Sequence, residues 1–177
     1  MSVQIGAKPD SGFDDPIGML KDCHRRIERF IHILEVVARR AQGRALTVEE
    51  TEAVQAALQY FHVGGKRHNA DEEESLFPRL RAKDGAGHEE ALERLENDHR
   101  NALNLHAAVE TFFTAWMSAG RLSPEGAGRL VSATEQLEQL YKAHIQVEEE
   151  VVFPHAAEAL DTGTIAAIGM EFRARRA

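Results

Sequence analysis

One cysteine, five prolines and only 6% aromatic residues place several kinds of protein out of reach of this 177-residue chain. The lone Cys23 can form no internal disulfide, which excludes a disulfide-stapled scaffold and points to a reducing compartment. Scarce aromatics and prolines argue against a β-sandwich or barrel. No apolar run approaches the eighteen or so residues of a membrane span. Met1 to Gly18 lacks the basic start and apolar centre of an export signal. No membrane association and a cytoplasmic location are therefore expected. Positive charge is short too: 21 Lys and Arg face 29 Asp and Glu, a formal charge of −8, so nucleic acid is not an expected partner.

What remains is 43% hydrophobic and 28% charged, the make-up of a globular domain with a real core, and an all-α class is expected. Nine histidines stand out. The chain carries His68-Asn69-Ala70-Asp71-Glu72-Glu73-Glu74-Ser75-Leu76-Phe77-Pro78. A variant, His144-Ile145-Gln146-Val147-Glu148-Glu149-Glu150-Val151-Val152-Phe153-Pro154, returns seventy-six positions later. In each copy a Glu follows a His by four residues, so on an α-helix both side chains leave one face about one turn apart. A second repeat runs with the first, Asp22-Cys23-His24-Arg25 against Asn97-Asp98-His99-Arg100.

Taken in order, residues 1–13 lack periodicity and read as a loose arm. Asp14 or Asp15 caps a helix with Pro16 in its first turn, which carries Leu20, Ile27, Ile31 and Leu34 at core spacing and ends near Gly43. Thr47-Val48-Glu49-Glu50 is a capping box opening a second helix, with a kink expected at Gly64-Gly65. Asp84-Gly85-Ala86-Gly87 reads as a turn, and a third helix stops at Gly120. Ser123-Pro124-Glu125 starts a fourth, which runs to the second Phe-Pro. The bundle is thus expected over 14–160, with 161–177 a tail or short closing helix.

Four long helices on short connections imply an up-down-up-down bundle. Depth can then be counted from the turns. From a turn near residue 44, His24 lies twenty residues before and His68 twenty-four after; from one near 122, His99 lies twenty-three before and His144 twenty-two after. All four imidazoles fall at one level, with Glu72 and Glu148 one turn along. Four imidazoles and two carboxylates facing one core make a two-metal site, because a carboxylate between two His sets can bridge a pair of cations. Of the three Glu in each run, only the first has the inward phase.

The strings HNADEEESLFP and HIQVEEEVVFP, with DCHRRIE and NDHRNAL, resemble the hemerythrin-like proteins, the HHE cation-binding domain, over roughly residues 15 to 160. The resemblance implies a four-helix bundle around a non-haem pair of iron ions, oxo- or hydroxo-bridged, with His24, His68, His99 and His144 as terminal ligands and Glu72 and Glu148 as bridges. The chain departs from the oxygen carriers of that family, which have His-x-x-x-His on the third helix and His-x-x-x-x-Asp on the fourth. Here the position four after His99 is Leu103. The four-His, two-Glu set looks more like the di-iron proteins linked to iron-sulfur cluster repair and nitric oxide responses.

Around that set, His106 lies on the face of His99 two turns deeper, either as an extra ligand or supporting partner of the centre or as a hydrogen-bonded core residue, and Glu28 is its expected partner; Tyr60 and Tyr141 fall at similar levels and are placed to donate to a bound ligand. Phe77 and Phe153 are expected to plug the wet end of the site, with Pro78 and Pro154 bending or ending their helices. His32, His62, His88 and His155 read as surface residues, Cys23 as a core thiol, and Arg173 to Arg176 as a solvated terminus. The leading expectation is a binding or sensing protein taking up oxygen or nitric oxide at an open iron position. The alternatives are a di-iron enzyme (peroxidase, oxidase or nitric oxide reductase) and an iron-sulfur cluster repair or iron-donor protein. The His-rich set disfavours a ferritin-like oxidase, whose ligands are carboxylate-rich.

Overall fold

The computed structural model describes residues 10–84 and 87–177. Residues 1–9 of the expected arm, and 85 and 86 of the expected turn, lie outside the described residues. Among those described there are five helices and no strands: α1 (Pro16–Ala41), α2 (48–84), α3 (Glu89–Ala119), α4 (124–159) and α5 (Thr162–Ala174). The caps explain the boundaries. Asp15 accepts from the Gly18 N–H, Thr47 and Glu50 close a reciprocal capping box, Ser123 accepts from Gly126 ahead of Pro124, and Asp161 accepts from Thr164. At the other ends, Gln42 and Gly43 take left-handed conformations after α1, and Gly120 does so after α3.

α1 packs on α2 and α4, and α3 packs on α2 and α4, which closes a ring of four antiparallel helices. The α1–α2 and α3–α4 connections meet at one end, where Leu122 N–H donates to the Gly43 carbonyl at 2.9 Å. A Cβ on Gly43 would come within 2.4 Å of the Leu122 carbonyl, so this position requires glycine. Two apolar clusters fill the bundle. One, toward these loops, is built on Leu34, Phe113, Trp116 and Leu130; the other gathers Leu20, Phe77, Leu80, Phe153, Ile168 and Phe172 at the opposite end. Between them lies a polar layer. No helix among the described residues is long and apolar enough to cross a membrane.

The proline expectation is corrected. Neither Pro78 nor Pro154 ends its helix: α2 continues to Asp84 and α4 to Ala159. Each proline follows a π-helical turn, Glu72–Leu76 or Glu148–Val152, in which the N–H of Phe77 or Phe153 reaches back five residues to the carbonyl of Glu72 or Glu148. That wider turn displaces the carbonyl a helical proline would strike, which lets the helix pass. A third π-turn, Phe61–Gly65, stands where the glycine pair was expected to kink α2.

Two further expectations change at the apolar end. The described part of the N-terminal arm is pinned, with Ser11 N–H donating to buried Asp22 and Arg26 pairing with Asp10. The Phe13 carbonyl lies so close to Gly169 on α5 that a Cβ there would sit 1.9 Å away. The basic ending is not solvated throughout. Arg175 and Arg176 both donate to Asp71, which is fully buried on α2, and Arg79 forks onto Glu171.

Candidate metal centre

His24 comes from α1, His68 and Glu72 from α2, His99 from α3, and His144 and Glu148 from α4; all six are buried in the layer between the two apolar clusters. They converge as two groups that could each hold a cation: His24, His68, Glu72 and Glu148 on one side, and Glu72, His99, His144 and Glu148 on the other. The two carboxylates belong to both. Glu72 turns Oε1 toward His68 Nε2 at 3.4 Å and Oε2 toward His99 Nε2 at 3.4 Å. Glu148 turns Oε1 toward His144 Nε2 at 3.2 Å and Oε2 toward His24 Nε2 at 3.0 Å.

These contacts are close without being aligned as hydrogen bonds. Both oxygens of Glu72, both of Glu148 and Nε2 of His24 lack a hydrogen-bond partner although sealed from water. Buried carboxylate oxygens are costly to leave unpaired, so their aim at shared points fits a cation at each point. Nε2 of His99 and Nε2 of His144 lie 3.2 Å apart in the same sense.

The outer nitrogens fix which atom faces inward. His24 Nδ1–H donates to Glu149 Oε1 at 2.8 Å, and His99 Nδ1–H donates to Glu73 Oε1 at 2.6 Å. A carboxylate accepts only, so Nδ1 carries the proton and Nε2 presents its lone pair to the centre. His144 Nδ1 lies 3.6 Å from Asp98, an ion-pair distance too long for a hydrogen bond. The second Glu of each run was thus undervalued from sequence. Glu73 and Glu149 point not into their own helix's core face but sideways to the histidine of the neighbouring helix. Their recurrence at the seventy-six-residue offset was the available signal.

Crowding shifts the proton affinity of His24, His68, Glu72 and Glu148. Burial, and then the charge of Glu148, drive Glu72 well above the usual carboxyl range. Burial also works against ionised Glu148, yet His144 and His24 hold it well below that range. Burial opposes a charged His24, but without a cation Glu148, with Glu72 and Glu149, raises it to about 9, so a cation taking the Nε2 lone pair would displace a proton. His68 falls well below the ordinary imidazole value through burial and the proximity of His24. Perturbation of this kind in opposite directions marks a functional cluster.

The surrounding expectations divide. His106 Nε2 pairs with the Tyr141 hydroxyl at 3.1 Å, and its ring lies 4.2 Å from that of Phe61. Burial lowers its pKa to about 4, partly offset by the charge of Glu110. The Glu28 expectation is corrected: Glu28 is exposed, because the buried stripe of α1 runs through His24, Ile27 and Ile31 and leaves position 28 on its flank. Tyr60 donates to the Cys23 carbonyl at 3.3 Å and stacks on Phe30, so its hydroxyl is engaged away from the six donors. Phe77 and Phe153 do close the far end, but that end is dry, since α5 covers it and Phe153 stacks on His24 at 5.4 Å. Leu103 stands 54% exposed rather than over the centre. It lines a groove of about 210 Å³ that reaches His99 past Phe61, His106 and Tyr141.

The comparisons with known proteins agree with this geometry. The chain is 26% identical over 164 residues to an uncharacterized protein of Haemophilus influenzae, an alignment covering 93% of this chain and 91% of the relative. Residues 15–157 match the model of the hemerythrin HHE cation-binding domain. That span contains every one of the six convergent ligands and covers most of the chain. The protein belongs to the hemerythrin HHE cation-binding domain family.

Proposed function

We propose that this protein holds two iron ions and takes up dioxygen or nitric oxide at an open position on that pair, acting as a binding or sensing protein. The observation that carries the reading is the division of each buried carboxylate between two histidine pairs. His24 and His68 would hold one ion, His99 and His144 the other, and Glu72 and Glu148 would be shared by both. A mixed imidazole and carboxylate set is compatible with iron, and four protein donors per ion would leave positions open on a six-coordinate one. When bound, an iron pair supplies the electrons and the vacant position that a diatomic ligand needs.

The chain's own part is positional. Glu149 and Glu73 hold the Nδ1 protons of His24 and His99, so these rings present a basic nitrogen without rotating. The apolar cluster on Phe77, Phe153 and Phe172 keeps water from one side, while the groove beside Leu103 and His99 offers an approach from another. The test is metal analysis with an optical spectrum of the anaerobically reduced protein before and after dioxygen or nitric oxide is added. Two irons per chain and a stoichiometric, reversible change are expected. A metal-free or single-iron protein, or an unchanged spectrum, would sink the reading; sustained turnover of peroxide or nitric oxide would move it to an enzyme.

A further inference from the structure

The groove beside the centre is too large for a diatomic ligand alone. At about 210 Å³ it exceeds the roughly 150 Å³ in which an apolar protein cavity takes up benzene. Leu58, Phe61, Ala102 and Leu103 make its walls apolar. Leu103 is left more than half in water, an exposed apolar side chain that an occupant would cover. Among these walls Tyr141 Oη and His106 Nε2 form a hydrogen-bonded polar pair, with Asn69 and His99 also on the lining. The charged groups, Lys66 and the His62–Glu110 pair, are at exposed positions where water already serves them.

The hydrogen-bonding capacity of that pair defines the head group it accepts. His106 is neutral at pH 7, so it brings one N–H and one lone pair. If Tyr141 donates to Nε2, its oxygen lone pair is free to accept; if Nε2–H donates to the tyrosine oxygen, the tyrosine O–H is free to donate. A hydroxyl fits either arrangement, because it both donates and accepts. A charged head would lose its hydration against the Tyr141–His106 pair, because Lys66 and the His62–Glu110 pair, the charged side chains of the lining, face water or each other.

We propose that this groove binds a small organic molecule with an apolar body and one neutral O–H head, an alcohol, a phenol or an alkyl hydroperoxide, with the head on Tyr141 and the body against Phe61 and Leu103. The site stands on its own lining and does not require iron at the neighbouring ligands. It would put the head group on Tyr141, whose ring lies 6.2 Å from that of His144 in the centre.

The purified full-length protein, titrated with phenol and followed by NMR, should show saturable binding at or below about 10 mM, as expected for seven heavy atoms. Tyr141→Phe should weaken phenol about fivefold and leave toluene nearly unaffected, the effect of one hydrogen bond. Ala107→Trp, at an exposed position on the groove wall, should abolish binding while metal content and melting temperature stay as in the parent. Titrations after chelation separate this site from the iron reading. Retained phenol binding supports the groove whatever the metal analysis finds, and binding that vanishes with the metal in a still-folded protein overturns it. tert-Butanol and tert-butyl hydroperoxide, compared in the chelated protein, distinguish the two sources of the head group. Saturable binding of either supports the site; unsaturable binding of all three probes, or binding unchanged in Ala107→Trp, overturns it.

Discussion

The two halves of the bundle bring equal donor sets to the centre but unlike surroundings. His24, His68, Glu72 and Glu73 answer to His99, His144, Glu148 and Glu149, and both halves carry a π-turn at the same place. Away from the donors the match lapses. Asp98, 3.6 Å from His144 Nδ1, has Cys23 as its counterpart, although neither His144 Nδ1 nor His68 Nδ1 has a hydrogen-bond partner. His106 corresponds to buried Ile31, and Tyr141 to Gly65. Asp71, clamped by two arginines, corresponds to Val147. Whatever the cations require is present twice; what stands on only one side, the groove and the α5 clamp, is where this chain departs from a symmetric cation holder.

The largest expected effect removes what the halves share. Alanine at both Glu72 and Glu148 should reduce two bound metals to one or none, read by metal analysis. Chelation of the parent protein should lower its melting temperature by about 10 °C, the size expected when a tight ligand of the folded state is withdrawn from a domain of this length. Two metals retained in the double variant would break the bridging assignment.

The clamp comes next. Asp71→Ala strands two arginines against α2 and should cost about 3 kcal/mol in urea unfolding. Its counterpart Val147→Ala should cost about 1 kcal/mol, an ordinary loss of partly buried methyl groups. Equal costs would remove the clamp from the comparison.

His106 gives the halves different acid responses. Its pKa is lowered by burial from 6.5 to about 4, so between these values the unfolded chain binds a proton that the folded chain refuses. Stability due to this group is complete above pH 6.5 and is lost as pH falls toward 4. Its share is at most about 3 kcal/mol. His106→Phe should flatten the difference in unfolding free energy between pH 7 and pH 4.5, and an unchanged slope would deny the buried neutral state.

The smallest effects concern the outer carboxylates. Glu73→Gln and Glu149→Gln should each weaken metal affinity about tenfold, measured by competition with a chelator, because the amide can present either an acceptor or a donor to Nδ1. Asp98→Cys, which copies the first half into the second, should cost less than that, since Asp98 stands 3.6 Å from His144 and makes no hydrogen bond. A larger loss at Asp98 than at Glu73 would invert this ranking.

Most of the bundle was legible in sequence because caps, turns and the His-x-x-x-Glu repeat are local signals. Asp15, Thr47, Ser123 and Asp161 cap helices by contacts within three residues, and depth counting brought the six donors to one level. The rest depended on contacts between distant segments. Arg175 reaches Asp71 across a hundred residues, and nothing local distinguishes it from a solvated end. Glu28 and Leu103 sit four residues after their histidines, yet both fall on helix flanks, because spacing gives an angle on one helix and not which neighbour faces it. The π-turns did leave a trace. His144, Glu148, Val152, Ala156 and Leu160 are all buried at an unbroken spacing of four, which on a regular α-helix drifts about 40° per step.

That unbroken spacing makes chain length, more than residue identity, the quantity held constant between each histidine and its Phe-Pro. Each π-turn accommodates one residue more than an α-helix would. A homologue with one residue fewer between Glu72 and Phe77 would keep its metal motif intact on paper. The deletion would close the wide turn into regular α-helix, leaving Phe77 and Leu80 in phase with the core but returning the displaced carbonyl to the ring of Pro78. When relatives of this protein are aligned, a gap placed in that short interval would count for more than several substitutions within it.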